Sequence, residues 1–296
     1  RDQPRSRGLG DVYKRQLLLQ LSLPTVAAQL INMLYNVVDR IYIGHIPGEG
    51  ALALTGVGVC MPLILIISAF AALVGNGGAP RASIALGKKQ TAEAEQILGN
   101  CFVTQLLVSA VLTAVVLIWN RPLLLAFGAS SNTIDYSAAY MNIYALGTVF
   151  VQLTLGMNAF ITAQGFAKVG MLSVLIGAVA NTALDPLFIF TLDMGTAGAA
   201  LATGLSQFIS FCILLWMCNH QESCISISIR KFRPKLAIYR EVLYGGIPSL
   251  GRQGIASVAT ILMNFMCQPY GDAAIAAMSI VSRFMFFINS VIIGFG

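Results

Sequence analysis

The sequence predicts an all-α, polytopic membrane protein. Hydrophobic residues make up 57% of the chain and charged residues only 10%, and the mean hydropathy is +0.78. A soluble domain usually has about 25% charged residues. Several apolar runs reach the roughly 20 residues that a helix needs to cross a bilayer. These runs do not alternate every second residue, as membrane β-strands do. The composition therefore favours membrane helices over a soluble core.

Eight membrane spans follow one another along the chain. They are Leu17–Ile43, Leu52–Val74, Ile97–Trp119, Tyr136–Thr162, Val169–Thr191, Ala197–Cys218, Ile238–Cys267 and Ala273–Gly296. The connections after the second, fourth and sixth spans, together with the first residues of the seventh span, hold nine basic residues: Arg81, Lys88, Lys89, Lys168, Arg230, Lys231, Arg233, Lys235 and Arg240. The other connections hold only Arg121 and Arg40, the latter at a helix end. Because short cytoplasmic loops collect Lys and Arg, we expect the amino terminus in the cytoplasm and the protein in a prokaryotic inner membrane.

The chain is predicted to have four parts. Residues 1–16 are hydrophilic and resemble translated sequencing-adapter read-through, so we expect a non-native segment there. Residues 17–218 form an amino-terminal lobe of six helices, and residues 219–237 form a basic cytoplasmic linker. Residues 238–296 hold the first two helices of a second lobe.

A weak internal repeat supports the second lobe. Pro24 and Gln29 align with Pro248 and Gln253 at matching places in the hydropathy pattern. Repeats of this kind are typical of secondary transporters. The sequence ends in IIGFG inside an apolar helix, so we expect about eight helices of twelve and a chain truncated at its carboxyl end.

Two carboxylates, Asp39 and Asp185, lie within predicted spans. A charge at a helix centre costs about 2.5–3.5 kcal/mol, and such residues usually mark an ion or substrate pathway. Asn181 precedes Asp185 by four residues, so the two side chains share one helix face. Pro186 removes a backbone donor and favours a kink. Because apolar surroundings favour the neutral form of a carboxyl group, this group suits a switchable cation site. The alternative is a buried structural carboxylate.

Two blocks of sequence resemble the MATE (multidrug and toxic compound extrusion) transporters, in particular their DinF-like branch. NTALDPLFIF (181–190) is similar to the fifth helix of that family, and YNVVDRIYIG (35–44) to the first. The resemblance implies two six-helix lobes arranged as a V, which export organic compounds in exchange for H+ or Na+. It also implies a cation site at Asp39, Asn181, Asp185 and Thr203, and substrate contacts from Tyr35, Asn36 and Tyr140. The alternative for the tyrosines is packing or interface anchoring.

The sequence departs from another MATE branch, which uses a glutamate on the seventh helix. Apart from Glu241, assigned to the span end, the predicted seventh span holds no acid and carries Arg252 and Gln253. We therefore expect ion coupling in the amino-terminal lobe. Arg283 lies deeper, in the eighth span, and has no assigned role.

The alternative function is a flippase for lipid-linked oligosaccharides or peptidoglycan precursors, from the same superfamily. Its cavity would be rich in cations, whereas the first six spans contain almost none, which favours a cationic or neutral substrate. An enzyme is not expected, since His45 and His220 lie on opposite sides of the membrane and no HExxH or GxSxG motif is present.

The expected partners follow from the same residues. They are a small organic substrate and the lipid bilayer, for a monomeric chain that contacts no nucleic acid. Half of the net charge of +6 belongs to residues 1–16, so the basic balance does not indicate a nucleic-acid partner. No cofactor is expected besides the coupling H+ or Na+, and no metal besides a possible Na+ at Asp39, Asn181, Asp185 and Thr203.

Overall fold

The computed structural model describes the backbone of residues 4–220, 227 and 231–295, and the side chains of residues 22–220, 227, 231–282 and 285. Ten α-helices follow in order: α1 (Pro4–Gly44), α2 (Gly50–Val59), α3 (Met61–Gly87), α4 (Thr91–Ile118), α5 (Asn120–Ala126), α6 (Ile134–Ala163), α7 (Ala167–Pro186), α8 (Gly195–His220), α9 (Leu236–Cys267) and α10 (Asp272–Phe295). A π-helical turn, Leu187–Thr191, continues α7, and a 3-10 turn, Gln268–Tyr270, precedes α10.

In the described residues the chain makes eight helical passes, one for each predicted span. Helices α2 and α3 together form the second pass, and α7 with its π-helical turn forms the fifth. Five helices are long and apolar enough to cross a membrane by length and composition. The prediction of an all-α, polytopic membrane protein is confirmed.

Two passes differ from their predicted bounds. Helix α1 begins at Pro4, so it includes most of the hydrophilic segment 1–16, whose side chains lie outside the described residues. Helix α3 continues to Gly87, well beyond Val74. The hydropathy pattern broke early because Asn76, Gly77 and Gly78 interrupt the apolar run. In the fold these residues face neighbouring helices, so the helix continues through them.

The outer surface of several helices is apolar. Leu107 and Val111 on α4, Leu146 on α6 and Trp216 on α8 each expose more than three fifths of their surface. In water such faces would favour association, but in a bilayer they contact lipid chains. The surrounding lipid thus explains why the outer surface of these helices carries so few charged residues.

The connections collect at two opposite ends of the helices. At one end, Oγ of Ser83 on α3 donates to the carbonyl of Ala163 on α6 at 2.6 Å. At the other end, Oγ1 of Thr55 donates to the carbonyl of Asp272 at 3.4 Å. The first end carries the basic connections, except for Arg230, which lies outside the described residues. The grouping of basic loops predicted from sequence therefore corresponds to one face of the protein.

The linker between α8 and α9 is anchored to α4. Nδ2 of Asn100 donates to the carbonyl of Arg233 at 2.8 Å, and the Arg233 N–H donates to Oδ1 of Asn100 at 3.1 Å. Lys231 pairs with Glu95 beside it. The fully buried Asn100 thereby provides hydrogen-bond partners for the N–H and the carbonyl of a non-helical segment, and buried polar groups need such partners.

Helices α3 and α9 cross at almost the closest distance that backbones allow. A Cβ on Gly77 would lie 2.1 Å from the carbonyl oxygen of Val242, and a Cβ on Gly246 only 2.0 Å from that of Leu73. Nδ2 of Asn76 also donates to Oγ of Ser249 at 3.1 Å. Small residues let membrane helices approach closely and gain contact with each other. This crossing joins the first six passes to the seventh.

Candidate functional site

The two intramembrane carboxylates come together where α1 packs against α7. Asp39 on α1 is 4% exposed, and Asp185 on α7 is fully buried, as is Asn181. Asp185 interacts electrostatically with Asp39 across the two helices. Nδ2 of Asn181 donates to Oδ1 of Asp185 at 3.3 Å. The predicted trio is therefore assembled in one buried site.

The sequence around Asp185 explains its local geometry. Asn181 and Asp185 are one turn apart on α7, so their side chains meet on one face. The α-helix ends at Pro186 and widens into the π-helical turn, closed by the Leu192 N–H bond to the carbonyl of Leu187 at 3.0 Å. Short π-helical insertions of this kind are frequent at functional sites. The helix type therefore changes at the proline where the kink is predicted, and the kink itself stays a prediction.

The site contains acceptor atoms without donors. Among the residues that the structure describes, Oδ2 of Asp185 and Oδ1 of Asn181 are buried and have no hydrogen-bond partner. A buried carboxylate oxygen without a partner costs free energy. A proton or a Na+ ion would remove that cost, and transporter sites use oxygen atoms of this kind for such ions.

Thr203 lies on the face of α8 that meets α1. Gln207, one turn later on α8, donates from Nε2 to the hydroxyl of Tyr35 at 3.4 Å. Because α8 runs antiparallel to α1, Thr203 lies at the level of Asp39, one turn from that contact on each helix. Thr203 is half-buried, and its carbonyl accepts from Oγ of Ser206 at 2.8 Å. The geometry thus places Thr203 at the level of Asp39 along the helices, and its part in a cation site stays a prediction.

The three residues predicted to contact substrate have different environments. Tyr140 is only 3% exposed and stacks on Tyr144 with ring centroids 5.8 Å apart. Tyr35 is half-buried against Gln207. Nδ2 of Asn36 donates to the carbonyl of Asn32 at 2.7 Å. The packing alternative describes Tyr140 well, whereas Tyr35 and Asn36 keep part of their surface accessible.

The comparisons with known proteins assign the family. The MatE family model matches residues 24–187, more than half of the chain. The chain belongs to the MatE family. The matched range includes the carboxylates and Asn181, and the predicted family is confirmed.

Relatives of this MatE-family chain are drug exporters by name. It is 25% identical over 277 residues to the multidrug export protein MepA of Staphylococcus haemolyticus, covering 94% of this chain and 61% of that protein. It is 24% identical to MepA of Staphylococcus aureus strain NCTC 8325, with the same coverage. A solved structure of a ligand complex of the MATE multidrug transporter DinF-BH shares 30% identity at a TM-score of 0.87, over 94% of this chain and 62% of that one.

The MatE-family chain spans about 61% of the length of the curated relatives it matches. Family membership establishes a multi-pass protein of a bacterial membrane in a family of transporters rather than enzymes. The substrate, the coupling ion and the transport cycle are properties of the whole protein, and they are treated below as proposals.

Arg40 is the residue of this cluster that the sequence of the MatE-family chain did not predict. It was assigned to a helix end, but α1 continues for a further turn, and the Arg40 side chain is only 14% exposed. Its Nε lies 3.8 Å from Oδ2 of Asp39, and its Cζ lies 5.9 Å from the centre of the Tyr140 ring. The signal in the sequence was a cation directly after an intramembrane acid. The sequence assigned two basic residues, Arg40 and Arg121, to the connections at the end opposite the basic loops. Because Arg40 is largely buried in the structure, only Arg121 of these two remains in a connection.

An apolar cavity of about 560 Å³ adjoins this cluster, between α1, α2 and α10. Its walls include Met33, Val37, Leu54 and Met61, and Arg40 forms part of the lining. The expectation of a cationic or neutral substrate assumed that the first six helices contain almost no cation. Arg40 adds one cation to this cavity wall, which does not make the wall rich in cations, and the substrate class stays a prediction.

The acid on α9, Glu241, lies near the beginning of the helix, as the sequence predicted. Glu241 lies in the second turn of α9, with 55% of its side chain exposed, and pairs with Arg81 at 3.4 Å. It belongs to the end with the basic connections and not to a buried site. Arg252 is also exposed, and the Arg283 side chain lies outside the described residues.

Within the residues that the structure describes, no group of three or more His, Cys, Asp or Glu could hold a metal ion.

Proposed function

We propose that the protein is an antiporter, which exports apolar organic compounds in exchange for H+ or Na+ by alternating access. The observation that carries this proposal is the buried pair Asp39 and Asp185, held beside Asn181 next to the apolar cavity. Two buried carboxylates close together cannot both be ionised cheaply. One bound cation relieves the repulsion, and its release restores it.

The coupling follows from two states that differ in cation affinity. A cation shifts the protein toward the state that binds it better. Exchange requires that substrate and cation favour different states, and the site on α1 and α7 adjoins the cavity through Arg40. The multidrug-export names of the relatives support organic compounds over lipid-linked sugars as substrates. No observation favours the flippase alternative.

The first experiment measures linkage between ligand and cation. Ethidium, a fluorescent organic cation with a large apolar surface, serves as the probe because it falls within the predicted cationic or neutral substrate class. Its binding to the purified chain is followed by fluorescence polarisation. We expect its dissociation constant to rise at least about fivefold when Na+ is added or the pH is lowered, a typical size for coupling between sites. Ethidium binding that is independent of both cations would refute the antiport proposal.

We further propose that the end with the basic connections faces the cytoplasm of a bacterial cell, and with it the amino terminus. Single cysteines at positions 88, 233 and 48, on a background without native cysteines, test this in intact cells. We expect an impermeant thiol reagent to label Gly48→Cys, while Lys88→Cys and Arg233→Cys react only after permeabilisation. Labelling of position 233 from outside would reverse the topology.

A further inference from the structure

Arg40 lies beside the two carboxylates of the proposed cation site. Its guanidinium pairs with Asp39 at 3.8 Å and lies over the Tyr140 ring. It also interacts electrostatically with Asp185 on α7 and Tyr144 on α6. The same side chain lines the apolar cavity. Arg40 therefore touches both parts of the proposed exchange site.

The guanidinium is held by charge rather than by directed hydrogen bonds. Nε and Nη1 of Arg40 are buried and have no hydrogen-bond partner among the described residues. A separation of 3.8 Å is an ion pair but exceeds the length of a hydrogen bond. Arginine normally binds a carboxylate through two parallel hydrogen bonds. The loose pairing leaves Arg40 able to follow changes in the charge of either carboxylate.

The charges of the cluster balance with one added cation. Asp39 and Asp185 supply two negative charges and Arg40 one positive charge. The other titratable groups that interact with Arg40 are Tyr140 and Tyr144 on α6 and Cys60 between α2 and α3, and on α1 itself His45 lines the same cavity. The phenols and the thiol are neutral at ordinary pH. A single H+ or Na+ therefore makes the carboxylate–guanidinium cluster neutral.

We propose that Arg40 is an internal counter-cation, which takes the place of the second cation that the buried carboxylate pair would otherwise retain. The proposal rests on the cation site proposed above. Arg40 competes with the coupling ion for Asp39, so one ion binds per cluster and can also leave. Arg40 is thus a specificity-determining residue, because it sets both the number of ions and the affinity for them.

Equilibrium binding of radioactive Na+ to the purified chain at alkaline pH tests the role of Arg40. We expect about one Na+ per wild-type chain. Arg40→Gln should raise the affinity for Na+ at least about tenfold and move the stoichiometry toward two Na+ ions per chain. The reason is that the substitution removes the positive charge that lies about 4 Å from Asp39 and competes with Na+ for it. Arg40→Lys should restore one ion per chain. Arg121→Gln, at an exposed position in an ion pair with Asp135, is the matched control and should behave as wild type.

A charge-balanced double variant separates this role from simple packing. Asp39→Asn alone leaves Asp185 and Arg40, which neutralise each other, so Na+ binding should be lost. Asp39→Asn combined with Arg40→Gln leaves one uncompensated carboxylate, and binding of one ion should return. If protons fill the site instead, the infrared band of protonated carboxyl groups gives the same readout against pH.

The outcomes distinguish the two proposals. If Asp39→Asn and Asp185→Asn leave cation binding intact, the cation site itself is wrong. Suppose instead that these two variants abolish cation binding. The counter-cation role is then overturned if Arg40→Gln keeps the wild-type affinity and stoichiometry, or if Asp39→Asn combined with Arg40→Gln still binds no ion. The double variant carries the test if Arg40→Gln alone fails to fold, because its cluster keeps the wild-type net charge.

Discussion

Replacing Asp185 by asparagine is expected to abolish cation coupling in this chain. Asparagine keeps the shape of the side chain but removes the charge that a proton or Na+ would neutralise. In wild-type protein, a cation at about 100 times its dissociation constant should stabilise the fold by about 2.7 kcal/mol. The Asp185→Asn chain should lose this gain completely, measured as unfolding free energy with and without the ion, and its ethidium affinity should no longer respond to Na+ or pH.

Asp39→Asn should have the same effect. The combination of Asp39→Asn with Asp185→Asn should be little worse than either single variant, as expected for groups that act as a unit. Asp135→Asn is the matched control. This carboxylate lies in a connection, with 73% of its side chain exposed, and pairs with Arg121. An Asp185→Asn chain with unchanged cation dependence would make Asp185 a buried structural carboxylate.

Gly246→Ala is expected to separate α9 from α3. The new methyl group would lie 2.0 Å from the carbonyl oxygen of Leu73 and 2.8 Å from its carbon. These are backbone atoms, so the clash is relieved only if a whole helix moves. Overpacking typically costs about 1–3 kcal/mol, and we expect a loss of at least about 2 kcal/mol in the unfolding free energy.

Disulfide formation between Asn76→Cys and Ser249→Cys reports the crossing directly, because these side chains are within hydrogen-bond distance. On a background without native cysteines, Gly246→Ala should slow this cross-link at least about tenfold. Gly254→Ala on the same helix is the control, since a Cβ there meets no atom within 4 Å. It should be neutral or slightly stabilising, because alanine favours a helix over glycine. Equal behaviour of the two variants would show that the crossing tolerates a side chain.

The sequence was sufficient for most of the secondary structure and for most of the residues of the proposed cation site. Apolar runs of span length predicted all eight passes, because a bilayer requires the backbone to satisfy its hydrogen bonds within each helix. Asn181 and Asp185 could be paired from their spacing alone, since one turn of helix brings them together. Bounds were wrong where polar or small residues face another helix, as in α3 around Asn76 and Gly77.

Tertiary structure alone decided which helices meet. Within lipid, apolar side chains gain little by leaving the bilayer, so hydropathy does not choose neighbours, whereas small residues and polar contacts do. The packing of α1 on α7 brought Asp39 to Asp185, the contact of Gln207 with Tyr35 set the level of Thr203, and Gly77 and Gly246 allowed α3 to cross α9. Arg40 shows the difference most clearly. A cation one turn from a helix end is equally compatible with water or with a buried carboxylate, and only the neighbouring helices determined that it lies beside Asp39.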